Sequence, residues 1–249
     1  MTVLWKAWSD TSRKFYLCML LVTLLMVPDA VTTAVESARA ANAAEEVVEA
    51  TSDQVDEDAT SSFERQVEVW TRGAAHSIFA ILAMVLGVGG TMTRANAHSN
   101  LMTLSLPQTR RRWLTAQWIV ASGLVLCLCA WEAFILAASG LVAGLSVPVG
   151  QLAIATVLTS ASAALWVWPS ILSTSYTRDA IRAALIVVVI IVSLNTFTTL
   201  TGMFEWKLTN LANVNRWSEG VPWRPLVPGL GMTAACAWLV IRRFERTDY

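Results

Sequence analysis

The residue types that most often carry catalysis or bind metals are sparse in this sequence and stand apart. There are two histidines, His76 and His98, and neither has an acidic pair beside it. Nucleophilic and metal-assisted catalysis both need several such groups brought together. The sequence also lacks the G-x-x-x-x-G-K-[ST] loop that cradles the phosphates of ATP. We therefore predict that the chain is not an enzyme and holds no cofactor of its own.

The four cysteines all lie in apolar runs of the sequence, at Cys18, Cys127, Cys129 and Cys236. Cys127 and Cys129 are two residues apart, so they point to different sides of a helix. That arrangement fits neither a metal-binding pair nor a disulfide framework. We predict that these cysteines are buried and act as small hydrophobic residues.

Glu132 is the polar residue whose position along the chain is most informative. It lies near the middle of a long apolar run, and burying a carboxyl group in hydrocarbon is costly. In a later run, Asn195, Thr198 and Thr199 are spaced so that they share one face of a helix. Residues of this kind either line a pathway or form hydrogen bonds where helices pack, and both interpretations stay open. These four are the candidate pathway residues.

Membrane-spanning helices must position these side chains. Of the 249 residues, 55% are hydrophobic and only 14% are charged, which is too apolar for an ordinary soluble domain. A spanning helix needs roughly 20 mostly apolar residues, and six stretches meet this condition. They are residues 15–35, 74–92, 113–139, 152–173, 181–201 and 226–241. We predict an all-α, polytopic membrane protein in which residues 1–249 form a single domain with six transmembrane helices.

The first predicted span has two interpretations. Residues 1–14 suit an interfacial helix that precedes a retained span. Alternatively, Lys6, Arg13 and Lys14 before an apolar run, with Ala38-Arg39-Ala40 after it, resemble a signal peptide and its cleavage site. In the second span, Gly87, Gly89 and Gly90 are expected to let helices approach closely. The sixth span is predicted to be short, and prolines crowd its beginning, where they are tolerated because the first-turn amides have no helical partner.

The orientation of the spans follows from their flanking basic residues. The formal net charge is +0, so nothing favours nucleic acid as a partner, but the charges are segregated along the chain. The arginines at 110–112 and 242–243 stand directly at the ends of predicted spans, where the positive-inside rule has most force. We therefore predict an N-in/C-in protein with multiple spans in the cell membrane, taken to be a bacterial plasma membrane.

Two predicted outer segments have distinct compositions. Residues 36–70 are strongly acidic, and their centre, at 51–62, is typical of a turn or a flexible tip. This acidic outer loop is either a solvated connection or a vestibule that attracts cations. Residues 203–225 combine tryptophans with Lys, Asn and Arg, and are predicted to lie at the outer interface as a short helix or a re-entrant piece.

The predicted cytoplasmic loop at residues 93–112 is the most specific feature of the sequence. A leucine-rich stretch ends at a proline, and a basic cluster then begins the next span; the residues concerned are Leu101, Leu104, Leu106, Pro107, Arg110 and Arg111. A positive-inside anchor explains the arginines. It does not explain an apolar helix exposed to the cytoplasm, which indicates a docking element for another protein.

At these residues the chain resembles the permeases of the ABC type-2 transporter family. The run Leu104-Ser105-Leu106-Pro107-Gln108-Thr109-Arg110 matches a family pattern of a leucine-rich helix, Leu-Pro, two residues and Arg. The layout is similar too, with an N-terminal interfacial helix, six spans and an outer segment between the last two. The chain departs from the family at Leu101, where members often have Glu, and in its longer first outer loop.

The resemblance implies a permease subunit of an ATP-binding-cassette exporter of lipids, peptides or drug-like molecules. Residues 98–112 would be the coupling helix for a separate ATPase subunit, which would hold ATP and Mg. A second permease chain, identical or homologous, would associate with the first in the lipid bilayer. The alternatives are a membrane scaffold or sensor that uses the acidic outer loop for recognition, and an ion-coupled carrier. A carrier would need more intramembrane charge than Glu132 and Asp29 supply.

Overall fold

The computed structural model describes the chain in several separate stretches. These are residues 4–5, 7–9, 11–24, 32, 67–68, 70, 72, 76–88, 107–142, 147–177 and 179–246. Every regular element in these stretches is a helix, so the predicted all-α class is confirmed for the part of the chain described. Leu101, Leu104 and Leu106 lie outside it, as does most of the acidic outer loop.

Helices of very different length make up the described part. Their bounds are α1 (His76–Gly87), α2 (Pro107–Val142), α3 (Val149–Ala164), α4 (Val167–Thr177), α5 (Ala180–Leu200), α6 (Val214–Glu219) and α7 (Trp223–Arg246). Two 3₁₀ turns, Phe204–Trp206 and Leu208–Ala212, connect α5 to α6. Residues 11–24 are also helical.

Within the described residues, four helical stretches are long and apolar enough to cross a membrane. They are Arg111–Val142, Val149–Thr177, Ile181–Leu200 and Trp223–Glu245. They coincide with predicted spans three to six. The prediction of a short sixth span is wrong, because α7 begins at Trp223 and takes Pro225 into its first turn, where a backbone N–H has no helical acceptor. Of predicted span two, the structure describes only α1, which has 12 residues.

The fourth span is broken into α3 and α4 at residues 165–166. Pro169 has no N–H to give to the carbonyl of Leu165, four residues earlier, so that carbonyl loses its helical donor. The Thr233 hydroxyl of α7 lies 3.3 Å from this oxygen and 2.8 Å from the carbonyl oxygen of Gly229. The hydroxyl has a single hydrogen and Gly229 is its nearer acceptor, so the Leu165 carbonyl receives at most the weaker part of a shared hydrogen bond where α7 crosses the break.

Charged side chains join helices at one end of the bundle, which we call the basic end. Arg111, near the start of α2, donates from Nε to Glu245 of α7 at 2.6 Å. The Arg243 guanidinium lies 3.9 Å from the ring centroid of Tyr176, at the end of α4. The opposite end carries the connection 201–222, and we call it the loop end.

The N-terminal helical segment 11–24 starts at the basic end and packs into the bundle. Lys14 donates from Nζ to the carbonyl oxygen of Val88, just after α1. Further along, Thr23 accepts a hydrogen bond from Trp131 Nε1 of α2 at 3.0 Å. Cys18 and Val22 are buried in the main apolar cluster. The segment therefore runs beside α2 from the basic end toward the middle of that helix.

Gly87 brings the end of α1 very close to α4. A Cβ atom added at Gly87 would lie 2.6 Å from Ser170 Oγ and 3.1 Å from the carbonyl oxygen of Val167. No side chain larger than hydrogen fits at that distance without movement. The expectation that a glycine here allows close helix approach is confirmed at Gly87, whereas Gly89 and Gly90 lie outside the described residues.

Helix α5 lies at the edge of the bundle, against α4 and α1. Its outward face is apolar and exposed, with Leu185, Val189 and Phe197 each more than half exposed. Such a surface is unusual in water but is what a lipid-facing helix presents. The fold thus consists of a packed core around α1 to α4, with α5 at its edge. The loop end of α5 can therefore form one wall of a cavity.

Candidate functional site

A cavity of about 340 Å³ lies in the loop-end half of the bundle. The beginning of α1, the break between α3 and α4, the second half of α5, the 3₁₀ turns and the beginning of α7 all contribute to its lining. Its apolar wall includes Ala80, Ile191, Leu194, Phe197, Met203 and Met232. This mixture of elements means that no single segment of the sequence defines the site.

His76, at the start of α1, lines the cavity and is held by a hydrogen bond. Its Nδ1 lies 2.8 Å from Ser162 Oγ of α3. The Ser162 hydroxyl also lies 2.9 Å from the carbonyl oxygen of Thr159, to which its single hydrogen is donated. We assign the Nδ1–H tautomer to His76 on this basis, because the hydroxyl oxygen is then the acceptor.

Among the described residues of the cavity lining, Lys207 is the only one with an acidic or a fixed basic side chain. Its Nζ lies 4.8 Å from the ring centroid of Phe204. The neighbouring carboxylate, Glu205, forms an ion pair with Arg224 of α7. Within the described stretches no carboxylate pairs with Lys207, so its charge is available to a ligand.

Trp166, at the break between α3 and α4, contributes a buried donor to the cavity lining. Its side chain is 2% exposed, and its Nε1 has no acceptor among the described residues. Buried indole N–H groups usually find a partner. Trp70, Trp113 and Trp118 also have an Nε1 without an acceptor among the described residues, so the free donor of Trp166 does not by itself mark a ligand site.

Three polar residues of α5 were predicted to share one face of the helix, but only two of them line the cavity. Asn195 and Thr198 are among the lining residues, whereas Thr199 is not. The Thr199 hydroxyl donates instead to the carbonyl oxygen of Asn195 at 2.7 Å and is exposed. Sharing one face of a helix therefore did not place all three residues in one site.

Glu132 lies apart from this cavity, on the buried face of α2. Its side chain is 6% exposed, and Leu128 and Cys129, one turn earlier, are fully buried. Among the described residues no group donates a hydrogen bond to its carboxyl group, and none forms an ion pair with it. Such a group is held at an energetic cost, which is typical of functional residues inside membranes.

The candidate coupling residues are only partly described. Pro107 is the first residue of α2, and Arg110 lies three residues into the helix. Arg111 is exposed and bonded to Glu245 at the basic end. The basic cluster thus lies at the beginning of α2, the longest helix of the described chain, where α2 contacts the end of α7.

Among the lining residues that were not identified as site residues from the sequence, His76, Trp166 and Lys207 carry polar groups discussed above. The partner of His76 is 86 residues away along the chain, so local spacing gave no signal for the pair. Trp166 did carry a signal, because it lies about midway along a span, whereas interfacial tryptophans lie at the ends.

The four cysteines differ in their exposure. The prediction that all four cysteines are buried is wrong for Cys127, which is exposed, and for Cys236, which is only partly buried, whereas Cys18 is buried. Cys129 is buried on the side of α2 opposite Cys127. The two do point to different sides of the helix. In the described stretches, no group of three or more His, Cys, Asp or Glu side chains is placed to hold a metal ion.

Fold and site together define a helical membrane-embedded protein with a mainly apolar cavity beside its edge helix. No protein-family model, curated protein or solved structure matches the chain.

Proposed function

We propose that the chain is the permease subunit of an ATP-binding-cassette exporter, with six spans and both termini in the cytoplasm. A separate ATPase subunit, carrying ATP and Mg, docks on residues 93–112. A second permease chain, identical or homologous, completes the transport unit in the cell membrane. The substrate is a lipid, a peptide or a drug-like molecule.

The starting residue and the length of α2 are the observation on which this proposal rests. Pro107 ends the leucine-rich stretch and is the first residue of a helix of 36 residues. At 1.5 Å per residue this helix is about 54 Å long, against about 30 Å for the hydrocarbon core of a bilayer. The helix is therefore longer than the hydrocarbon core requires, and the arginines at 110–112 favour its first turns as the part outside the bilayer. A partner bound to the leucine-rich stretch would act directly on a rod that passes through the membrane and carries Glu132.

The distribution of charge supports the assignment of the basic end to the cytoplasm. Arginines stand at the basic-end termini of α2, α5 and α7; those described with their side chains are Arg111, Arg112, Arg182, Arg242 and Arg243. At the loop end, Arg216 and Arg224 are each paired with a carboxylate. A larger number of arginines at the ends of the spans on one side is the signature of the cytoplasmic side.

The packing of the N-terminal segment supports a retained first span over a cleaved signal peptide. Val22 is 2% exposed and belongs to the same apolar cluster as Leu128 of α2. Removing residues 11–24 would expose that part of the cluster.

The proposal is tested by placing a charge in the leucine-rich stretch. We expect that Leu104→Asp or Leu106→Asp reduces recovery of a nucleotide-binding partner with the affinity-tagged chain by about tenfold or more, because a buried leucine contact contributes about 1.5–3 kcal/mol. Recovery is measured by mass spectrometry and by photolabelling of the eluate with an azido-ATP. The purified chain alone is expected to hydrolyse no ATP.

The matched control is Val221→Asp, which places the same charge on an exposed valine of the connection at the loop end. It is expected to leave recovery of the partner unchanged. Equal recovery with the Leu104 and Leu106 variants and with the original chain would show that the coupling assignment is wrong.

A further inference from the structure

We propose that the cavity is a binding site for an anionic amphiphile with one apolar chain. The head group lies at Lys207, and the chain lies among Ile191, Leu194 and Met232. The proposal goes beyond transport, because such a molecule would bind whether it is exported or only regulates the chain. That it is the cargo rests on the proposed function.

The size and lining of the cavity define the apolar part of the ligand. Drug-sized ligands occupy pockets of about 300–1,000 Å³, and the volume here, about 340 Å³, lies at the lower limit. Ala80 and Ile191 are almost completely buried on the cavity wall. The space therefore suits a single hydrocarbon chain or a small apolar body, and not a bulky polar molecule.

The surroundings of the cavity indicate that the ligand enters from the bilayer. Two of its lining residues, Phe197 of α5 and Met203, are 58% and 48% exposed. They lie on the outer face of the edge helix and at its loop end, so the cavity reaches the lipid-facing surface there. An amphiphile that is already dissolved in the bilayer could therefore enter the cavity at this surface.

The charge of the head group follows from the position of Lys207. It is the one fixed cation among the described lining residues, while Glu205 and Arg224 next to it compensate each other in an ion pair. A hydrogen bond between an ammonium and an anionic oxygen is about twice as strong as a neutral one. Asn195 and Thr198, on the same lining, add polar groups that an anionic head can use.

The test uses the full chain in phosphatidylcholine nanodiscs, without any ATPase partner. The probe is a saturated fatty acid with a diazirine near the end of its chain, and labelled peptides are identified by mass spectrometry. We expect labelling in the cavity wall near Ile191 and Trp166. A matched fatty alcohol, which lacks the charge, is expected to label about tenfold less, as a charge-assisted hydrogen bond predicts.

Two variants with matched controls separate the head site from the chain site. Lys207→Gln should reduce labelling by about tenfold, whereas Arg216→Gln, which removes a cation elsewhere at the loop end, should not. Leu194→Trp fills the cavity and should also abolish labelling. Leu185→Trp, on an exposed position of the same helix outside the lining, is its control.

Equal labelling by acid and alcohol, or labelling that persists in both Lys207→Gln and Leu194→Trp, would overturn the proposal. Because no ATPase takes part, these results are independent of the proposed transport function. Lost partner recovery in the leucine variants with no cavity labelling would leave the permease proposal standing and remove this one. Cavity labelling without any nucleotide-binding partner would do the reverse.

Discussion

Replacing Gly87 by alanine is expected to destabilise the protein by about 1–3 kcal/mol, the usual cost of overpacking a core. The added Cβ would lie 2.6 Å from Ser170 Oγ, and that hydroxyl is held at 2.7 Å from the carbonyl oxygen of Trp166. The carbonyl oxygen of Val167, at 3.1 Å, belongs to the backbone and cannot rotate away. Helix α1 must therefore move away from α4.

The direction of the stability change in Gly87→Ala separates two expectations. Considered as a residue of a helix, Gly87 should be improved by alanine, since glycine costs about 1 kcal/mol relative to alanine in a helix interior. The contact with α4 reverses that expectation. The measurement is the midpoint of thermal unfolding of the purified chain, followed by the loss of monodisperse protein on size-exclusion chromatography.

Gly123→Ala is the matched control, because a Cβ added at Gly123 in α2 would meet nothing within 4 Å. Its midpoint is expected to stay the same or rise. A double variant that adds Ser170→Ala to Gly87→Ala should recover part of the loss, since it removes the nearest of the crowded atoms. An unchanged midpoint in Gly87→Ala would show that α1 and α4 are farther apart than described here.

Replacing Glu132 by leucine is expected to raise the free energy of unfolding by about 1–3 kcal/mol, the cost of burying a polar group without a hydrogen bond. Glu132 as a whole residue is 6% exposed, and none of the described residues donates a hydrogen bond to its carboxyl group. Leucine has a similar size and restores an apolar surface to this face of α2. Glu132→Gln should give a smaller change, because the amide is also polar. The same thermal measurement applies.

If Glu132 takes part in transport, the leucine variant should be more stable but inactive in transport. Functional residues often lower the stability of the protein that carries them. The control is Glu245→Gln, which breaks the exposed pair with Arg111 and should change stability by at most about 1 kcal/mol. A marked fall in the unfolding midpoint of Glu132→Leu would contradict the prediction. It would mean that the carboxyl group has a compensating partner and a structural role.

The sequence was sufficient for those features that depend on one segment at a time. Four of the predicted spans coincide with described helices because hydrocarbon burial requires a run of apolar residues, and a run is visible locally. The sixth span was predicted too short at both ends, at 226–241 against the described Trp223–Glu245, because a boundary drawn from apolar residues alone leaves out the polar and basic residues of the end turns.

Only part of the cavity lining could be predicted from the sequence. Asn195 and Thr198 were correctly singled out as polar residues on one face, but Lys207 and His76 were not connected with them. Their proximity depends on how α1, α5 and the 3₁₀ turns pack together, and none of these contacts is encoded in local spacing. The exposure of Cys127 is a similar case, because periodicity gives the angle between two side chains but not which side faces the core.

The sequence by itself therefore determined that this protein is helical and membrane-embedded, and where its basic and acidic residues stand relative to the spans. Those properties follow from hydrophobicity and charge, which each segment carries independently of its neighbours. Only the tertiary structure decided that Glu132 and the cavity are separate sites, and that Lys207 and Trp166 border the same space. These facts depend on contacts between distant segments, above all the crossing of α7 at the broken fourth span and the close approach of α1 to α4 at Gly87.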